Sequence, residues 1–156
     1  MKQFQVGVLG VGYWGRKIVE EYSAIQNVKV QAVSDLMDKN LQHCKDRYGV
    51  PMLFSDFHEV IKVESLHAVH ICLPNSLHFQ ACKEALEAGK HVLVEKPITL
   101  SSQEGSILVD LAESKGLTLS VGHIYRFNNA LAEVKRLISE NFFGRVFLLN
   151  LTWTNL

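Results

Sequence analysis

The sequence predicts an α/β fold, a doubly wound and mostly parallel sheet with helices on both faces. Three observations carry this. Short apolar runs recur, at residues 4–9 (FQVGVL), 28–34 (VKVQAVS), 67–72 (HAVHIC), 91–94 (HVLV) and 117–121 (LTLSV). Amphipathic stretches separate them, and continuous apolar strands between such helices form parallel sheets covered on both sides. Finally, Gly10, Gly12 and Gly15 stand in G-x-G-x-x-G spacing between the first strand and the first helix. In that strand–turn–helix setting the glycines have defined jobs. Gly10 permits the tight turn, Gly12 lets the backbone approach a pyrophosphate, and Gly15 lets helix and strand pack closely. The helix start then offers N–H groups and partial positive charge to phosphates.

The remaining elements follow in order. A helix over 14–25 places Ile18, Val19 and Tyr22 on one face. The second strand runs into Asp35, twenty residues after Gly15, where an acid can accept bonds from both hydroxyls of an adenosine ribose. A polar helix over 39–48 ends at Gly49 and Pro51, and MLF (52–54) is a short third strand. Residues 56–62 read as a helical turn with Asp56 as N-cap. After the fourth strand, PNS breaks the chain. Leu77, Ala81, Cys82, Ala85 and Leu86 then share a helical face that closes at Gly89. The fifth strand ends at Glu95-Lys96-Pro97. Ser101 to Glu104 has capping-box spacing, and the helix after it turns Ile107, Leu108, Leu111 and Ala112 inward. The sixth strand ends at Gly122-His123. Leu131, Val134 and Ile138 mark a last helix, and residues 145–156 read as a final strand.

Composition narrows the class. The chain has 156 residues, 47% hydrophobic, with zero formal net charge. One globular domain of this size buries about 68–70% of its unfolded surface. The neutral balance and absence of a basic patch argue against nucleic acid or a membrane surface as partner. No apolar stretch nears the roughly 20 residues that span a bilayer. The N-terminus enters a strand directly, without a signal-peptide pattern, and the three cysteines (Cys44, Cys72, Cys82) include no C-x-x-C pair. The expectation is a cytoplasmic protein without disulfides. The seven histidines invite a metal reading, but His67 and His70 are spaced to opposite strand faces and His43 and His58 fall in separate helices, so no metal site is expected.

In such sheets ligands lie beyond the carboxyl ends of the strands. Four polar groups there, Asp35, Asn75, Lys96 and His123, are expected to converge on one crevice. Asp35, whose charge would repel a 2′-phosphate, favours NAD over NADP, a preference that Lys39 one turn on would soften; the alternative for Asp35 is a turn or cap residue. Lys96 is the candidate catalytic residue, a donor to a substrate hydroxyl or carbonyl whose pKa desolvation would lower; the alternative is an exposed lysine at a strand end. Glu95 has the wrong charge for that task and suits a ribose or structural contact. His78, in the first turn of its helix, is either a cofactor contact or a plain surface residue.

Together these stretches, GVLGVGYWG, ICLPNSLH, VLVEKP and VGHIYRFN, make the chain resemble the N-terminal half of the glucose–fructose oxidoreductase, inositol dehydrogenase and rhizopine catabolism (Gfo/Idh/MocA) family over nearly its whole length. The resemblance implies a Rossmann domain that binds NAD(P). It implies cofactor contacts at Gly10, Gly12, Tyr13, Trp14, Gly15, Asp35, Leu73, Pro74, Asn75, His78, Glu95, Lys96 and Arg126, with Lys96 assisting at the substrate oxygen and Arg126 near the nicotinamide end. It implies hydride transfer to or from a secondary alcohol of a sugar, inositol or nucleotide-sugar. The family continues into a second α/β domain that supplies further residues near the reacting atoms and commonly the oligomer interface. On this reading residues 1–126 are the dinucleotide-binding domain, 127–144 a connecting helix, and 145–156 the first strand of the substrate domain, leading toward a homo-oligomer. Two other readings stay open: a non-catalytic NAD-binding module, such as a redox sensor or regulatory subunit, and a metabolite-binding structural subunit.

Overall fold

A computed structural model describes residues 3–152. Six parallel strands, β1 (Phe4–Leu9), β2 (Val28–Ser34), β3 (Met52–Phe54), β4 (Ala68–Ile71), β5 (His91–Val94) and β6 (Leu119–Val121), lie in the order β3-β2-β1-β4-β5-β6. The order reverses between β1 and β4, where Val6–Leu9 pair with Ala68–Ile71. A crevice at that switch point is the general ligand position of open α/β sheets.

The strands are short, and their apolar residues divide between two cores. Leu9, Ala32, Val69, Ile71, Val92 and Val94 face α3 (Phe57–Ile61), α4 (His78–Glu87) and α5 (Ser102–Ser114). Val6, Val8, Val30 and Val33 face α1 (Tyr13–Ser23) and α2 (Asp38–Tyr48). Helix faces match the sequence periodicity at Val19, Ala81, Cys82, Ala85, Leu86, Leu108 and Ala112, all buried. Ile107, expected inside, is 49% exposed, because Leu108 and Ala112 already occupy the stripe that meets the sheet.

Helix ends follow local chemistry. The Asp56 carboxylate accepts the His58 amide and Ser101 Oγ accepts the Glu104 amide. Gly49, at φ +66°, closes α2 in the left-handed conformation. Lys90 is buried and its Nζ donates to the carbonyl oxygens of Val63, Glu64 and Leu66 at 3.0, 3.2 and 2.9 Å. This ammonium anchors the turn that leads into β4, at the amino end of the sheet.

The sheet and its helices form one compact unit that ends at Gly122, and a second unit begins at His123. In the second unit α6 (Asn129–Ser139) is capped by Asn128, whose side-chain oxygen accepts the amides of Ala130 and Leu131. The strand expected from Arg145 is not formed over the described residues 145–152. Apolar alternation alone does not make a strand; it needs a neighbour for its N–H and C=O groups, and none of the six strands extends a ladder to it. Trp153 and the rest of that expected strand lie outside the described residues.

Candidate functional site

Backbone hydrogen bonds continue one step past the strands and hold their ends level. Gly10 and Val11 amides donate to Ser34 O, Asp35 N to Phe54 O, Cys72 N to Leu9 O, and Glu95 N to Ile71 O. Glycine is required twice in the turn after β1. Gly10 sits at φ +84°, and a Cβ there would lie 2.8 Å from Cys72 O; a Cβ on Gly15 would lie 1.9 Å from Gly10 O. Gly12 differs. Its φ is an ordinary −66°, and a Cβ there meets nothing within 4 Å. It is the N-cap of α1, with no side-chain cap and no acid in the first turn. The open space in front of that uncapped helix start suits an anion.

A cleft of about 740 Å³ lies there, lined by Gly10, Gly12, Asp35, Leu73 and Pro74 among the expected residues. Ser34, Leu36, Met37, Ser55, Asp56, Phe57, Cys72 and Leu77 complete its wall. The volume falls within the roughly 300–1,000 Å³ of small-molecule sites. The apolar side of the cleft, with Leu36, Met37, Phe57 and Leu77, was not legible in the sequence. It comes from loops after β2 and β3 whose residues show no periodicity.

Asp35 takes the turn position that was its alternative, and it also lines the cleft. Oδ1 accepts the Met37 amide and Asn40 Nδ2, each at 2.9 Å, while Oδ2 makes no hydrogen bond among the described residues. One oxygen thus shapes the turn and the other is available to a ligand. Buried Asn40 is the orienting partner, and sequence reading passed over it. Lys39 lines a neighbouring hollow of about 590 Å³ with Asp38 and Gln42, outside the cleft that Asp35 lines.

Other expected residues take different positions. Tyr13 is 72% exposed, with Lys17 Nζ 4.5 Å from its ring centroid and its hydroxyl pKa lowered by that lysine. Trp14 reaches across the fold, its indole N–H donating to Glu95 Oε1 at 2.8 Å. His78 is fully buried, its Nδ1 2.7 Å from Pro97 O and Nε2 2.9 Å from Leu73 O. A surface role does not fit full burial: the ring lies between the turn after β4 and the turn after β5. Asn75 begins an exposed 3-10 turn, and Lys96, also exposed, makes no side-chain hydrogen bond among the described residues. Cys72 carries a thiol that burial, and secondarily the Glu95 charge, pushes up to about 12, so it presents no thiolate to the cleft. Arg126 and His123 belong to the second unit.

A parallel sheet in this order, a glycine turn with its Cβ space open, and an acid at the end of β2 define a dinucleotide-binding domain. The sequence model of the Gfo/Idh/MocA family, an oxidoreductase family with an NAD-binding Rossmann fold, matches residues 4–123, and the chain belongs to that family. It is 31% identical to the uncharacterized oxidoreductase YrbE of Bacillus subtilis (strain 168), over 97% of this chain and 44% of that protein. It is 29% identical to the scyllo-inositol 2-dehydrogenase (NADP(+)) IolW of the same strain, over 87% of this chain and 37% of that one. The scyllo-inositol dehydrogenase of Lactobacillus casei, solved with NAD(H) and scyllo-inositol, superposes with a TM-score of 0.85 at 29% identity, over 92% of this chain and 43% of the other. The chain therefore spans less than half the length of each of these proteins. Among the described residues no helix is long and apolar enough to cross a membrane.

Proposed function

We propose that this chain is the NAD-binding half of a dehydrogenase acting on a secondary alcohol of a sugar, inositol or nucleotide-sugar. The single observation that carries the reading is the pairing, in one cleft, of an uncapped helix start at Gly12 with a free carboxylate oxygen on Asp35. Pyrophosphate belongs at the first and the adenosine ribose at the second. The nicotinamide, when bound, supplies the hydride acceptor or donor. The protein's own residues do the rest: Leu73 and Pro74 wall the cleft, and Lys96 donates to the substrate oxygen. Preference for NAD over NADP rests on the Asp35 charge, which disfavours a 2′-phosphate. The substrate class rests on the inositol dehydrogenases it resembles. A cytoplasmic setting and a homo-oligomer formed through residues beyond 145 complete the proposal.

Titration of the chain with NADH and NADPH, followed by nucleotide fluorescence, tests the reading. NADH is expected to bind in the micromolar range and more tightly than NADPH. Asp35→Ala should cost NADH about 1.5–3 kcal/mol, the worth of charged acceptor bonds. Equal dissociation constants for the two nucleotides would end the claim about Asp35, and absence of NADH binding would end the whole reading.

A further inference from the structure

One buried titratable group stands beside the cleft without a role, His70. It lies on the α1 side of β4, with its side chain 5% exposed. Its Nδ1 is 3.2 Å from the Tyr22 hydroxyl, and the two rings meet edge-on at 5.8 Å. Its Nε2 is buried without a hydrogen-bond partner and lies 3.6 Å from Glu95 Oε1. That same Oε1 accepts the Trp14 indole N–H at 2.8 Å. Glu95 Oε2 makes no hydrogen bond among the described residues.

We infer that His70 is a positioning residue: Tyr22 fixes its tautomer so that Nε2–H faces Glu95, and His70 and Trp14 together hold one Glu95 oxygen while the other is offered to a ligand. The tautomer follows from the neighbours. Burial pushes the Tyr22 hydroxyl up to about 12, so it keeps its proton, and burial pulls the His70 imidazole down, so the ring is neutral. A neutral ring carries one N–H. With the phenol donating to Nδ1, that hydrogen is on Nε2. The opposite tautomer would turn a nitrogen lone pair toward a carboxylate, which is repulsive. At 3.6 Å the donor is not yet bonded, and a shift of roughly 0.6 Å by Glu95 brings it to an ordinary length. Gly122 leaves room beside the carboxyl group, since a Cβ there would stand 3.0 Å from Oε1. Glu95 would then resemble Asp35, with one oxygen anchored by protein donors and one free. The relay itself needs no ligand; its consequence for cofactor binding rests on the dinucleotide reading above.

The test uses the 156-residue chain with ¹⁵N-labelled histidine and tryptophan. His70 should show a protonated Nε2 and a bare Nδ1, and Tyr22→Phe, which leaves only Glu95 to favour that tautomer, should raise the share of protonated Nδ1. His70→Gln carries an amide that still reaches Glu95 and should keep both the Trp14 indole resonance and the NADH affinity. His70→Asn reaches Tyr22 only; it should shift that resonance and weaken NADH about three- to tenfold, the range of one hydrogen bond. A protonated Nδ1, or identical behaviour of the Gln and Asn variants, would overturn the relay. A parent chain that binds no NADH counts against the proposed function instead, while the tautomer and the Trp14 resonance still decide the relay.

Discussion

Gly12 and Gly15 are both part of one motif, yet the structure separates their duties. Alanine at Gly15 places a Cβ 1.9 Å from the Gly10 carbonyl oxygen, a backbone atom that no rotamer change removes. Ordinary C···O contacts are near 3.3 Å, so α1 must retreat from the turn by roughly 1.4 Å. Forced overpacking of this kind costs about 1–3 kcal/mol or more, and the alanine's better helix propensity returns at most about 1 kcal/mol. At Gly12 the Cβ meets no protein atom within 4 Å and φ is not in the left-handed region, so the fold tolerates it. The loss of a glycine N-cap is worth about 1 kcal/mol at most. The added methyl does project into the cleft in front of α1. Urea unfolding and NADH titration of both variants distinguish the two duties. Gly15→Ala should lose stability and binding together. Gly12→Ala should unfold within about 1 kcal/mol of the parent, yet bind NADH at least about tenfold more weakly, a loss of about 1.4 kcal/mol. Parental NADH affinity in Gly12→Ala would refute the assignment of that space to the pyrophosphate, and an undiminished Gly15→Ala would refute the steric argument.

The same structure makes three further predictions. Asn40→Ala removes a donor to Asp35 Oδ1 and should weaken NADH by about 0.5–1.5 kcal/mol without touching the cleft; unchanged affinity in a fluorescence titration would show that Asp35 needs no such orientation. Lys90→Met strips three carbonyl oxygens of their donor and should lower stability by about 1.5–3 kcal/mol, read from the urea midpoint, with NADH affinity of the folded protein unchanged. His70, whose folded pKa lies below its ordinary value of 6.5 because of burial, contributes a stability that is complete above that value and is lost as pH falls through it, since the unfolded chain then binds the proton first. Tyr22, Cys72 and Glu95 are the titratable groups facing it, so the slope of urea midpoint against pH between 6.5 and 5 should flatten in His70→Gln, and an unchanged slope would assign it elsewhere.

How much of this was legible in the sequence follows the physics of each signal. The parallel, doubly wound sheet rests on apolar runs and βαβ spacing, and those local patterns survive folding intact; the strand order itself was not read. Gly10, Gly12 and Asp35 could be placed at the cleft from the sequence because a tight turn, a helix start and a strand end each favour particular residue types. The burial of His78 was not legible, because its environment depends on where the Leu73 and Pro97 carbonyls come together. The Trp14–Glu95 bond joins residues 81 apart in sequence, and no spacing rule reports such a contact. Asn40, Leu36, Met37 and Phe57 carry no periodic or motif signal. The tail was read as a strand from alternation, which describes side-chain facing and says nothing of the neighbour a strand needs.

The central claim, that the cleft past β1 and β4 holds a dinucleotide, is tested most directly by amide NMR of the ¹⁵N-labelled chain during NADH addition. The amides of Gly10 to Gly15, Asp35 to Met37 and Leu73 to Asn75 should shift together and saturate with one dissociation constant, while those around Lys90 at the opposite end of the sheet stay still. Shifts confined to other surfaces, or a spectrum that NADH leaves unchanged, would contradict the account.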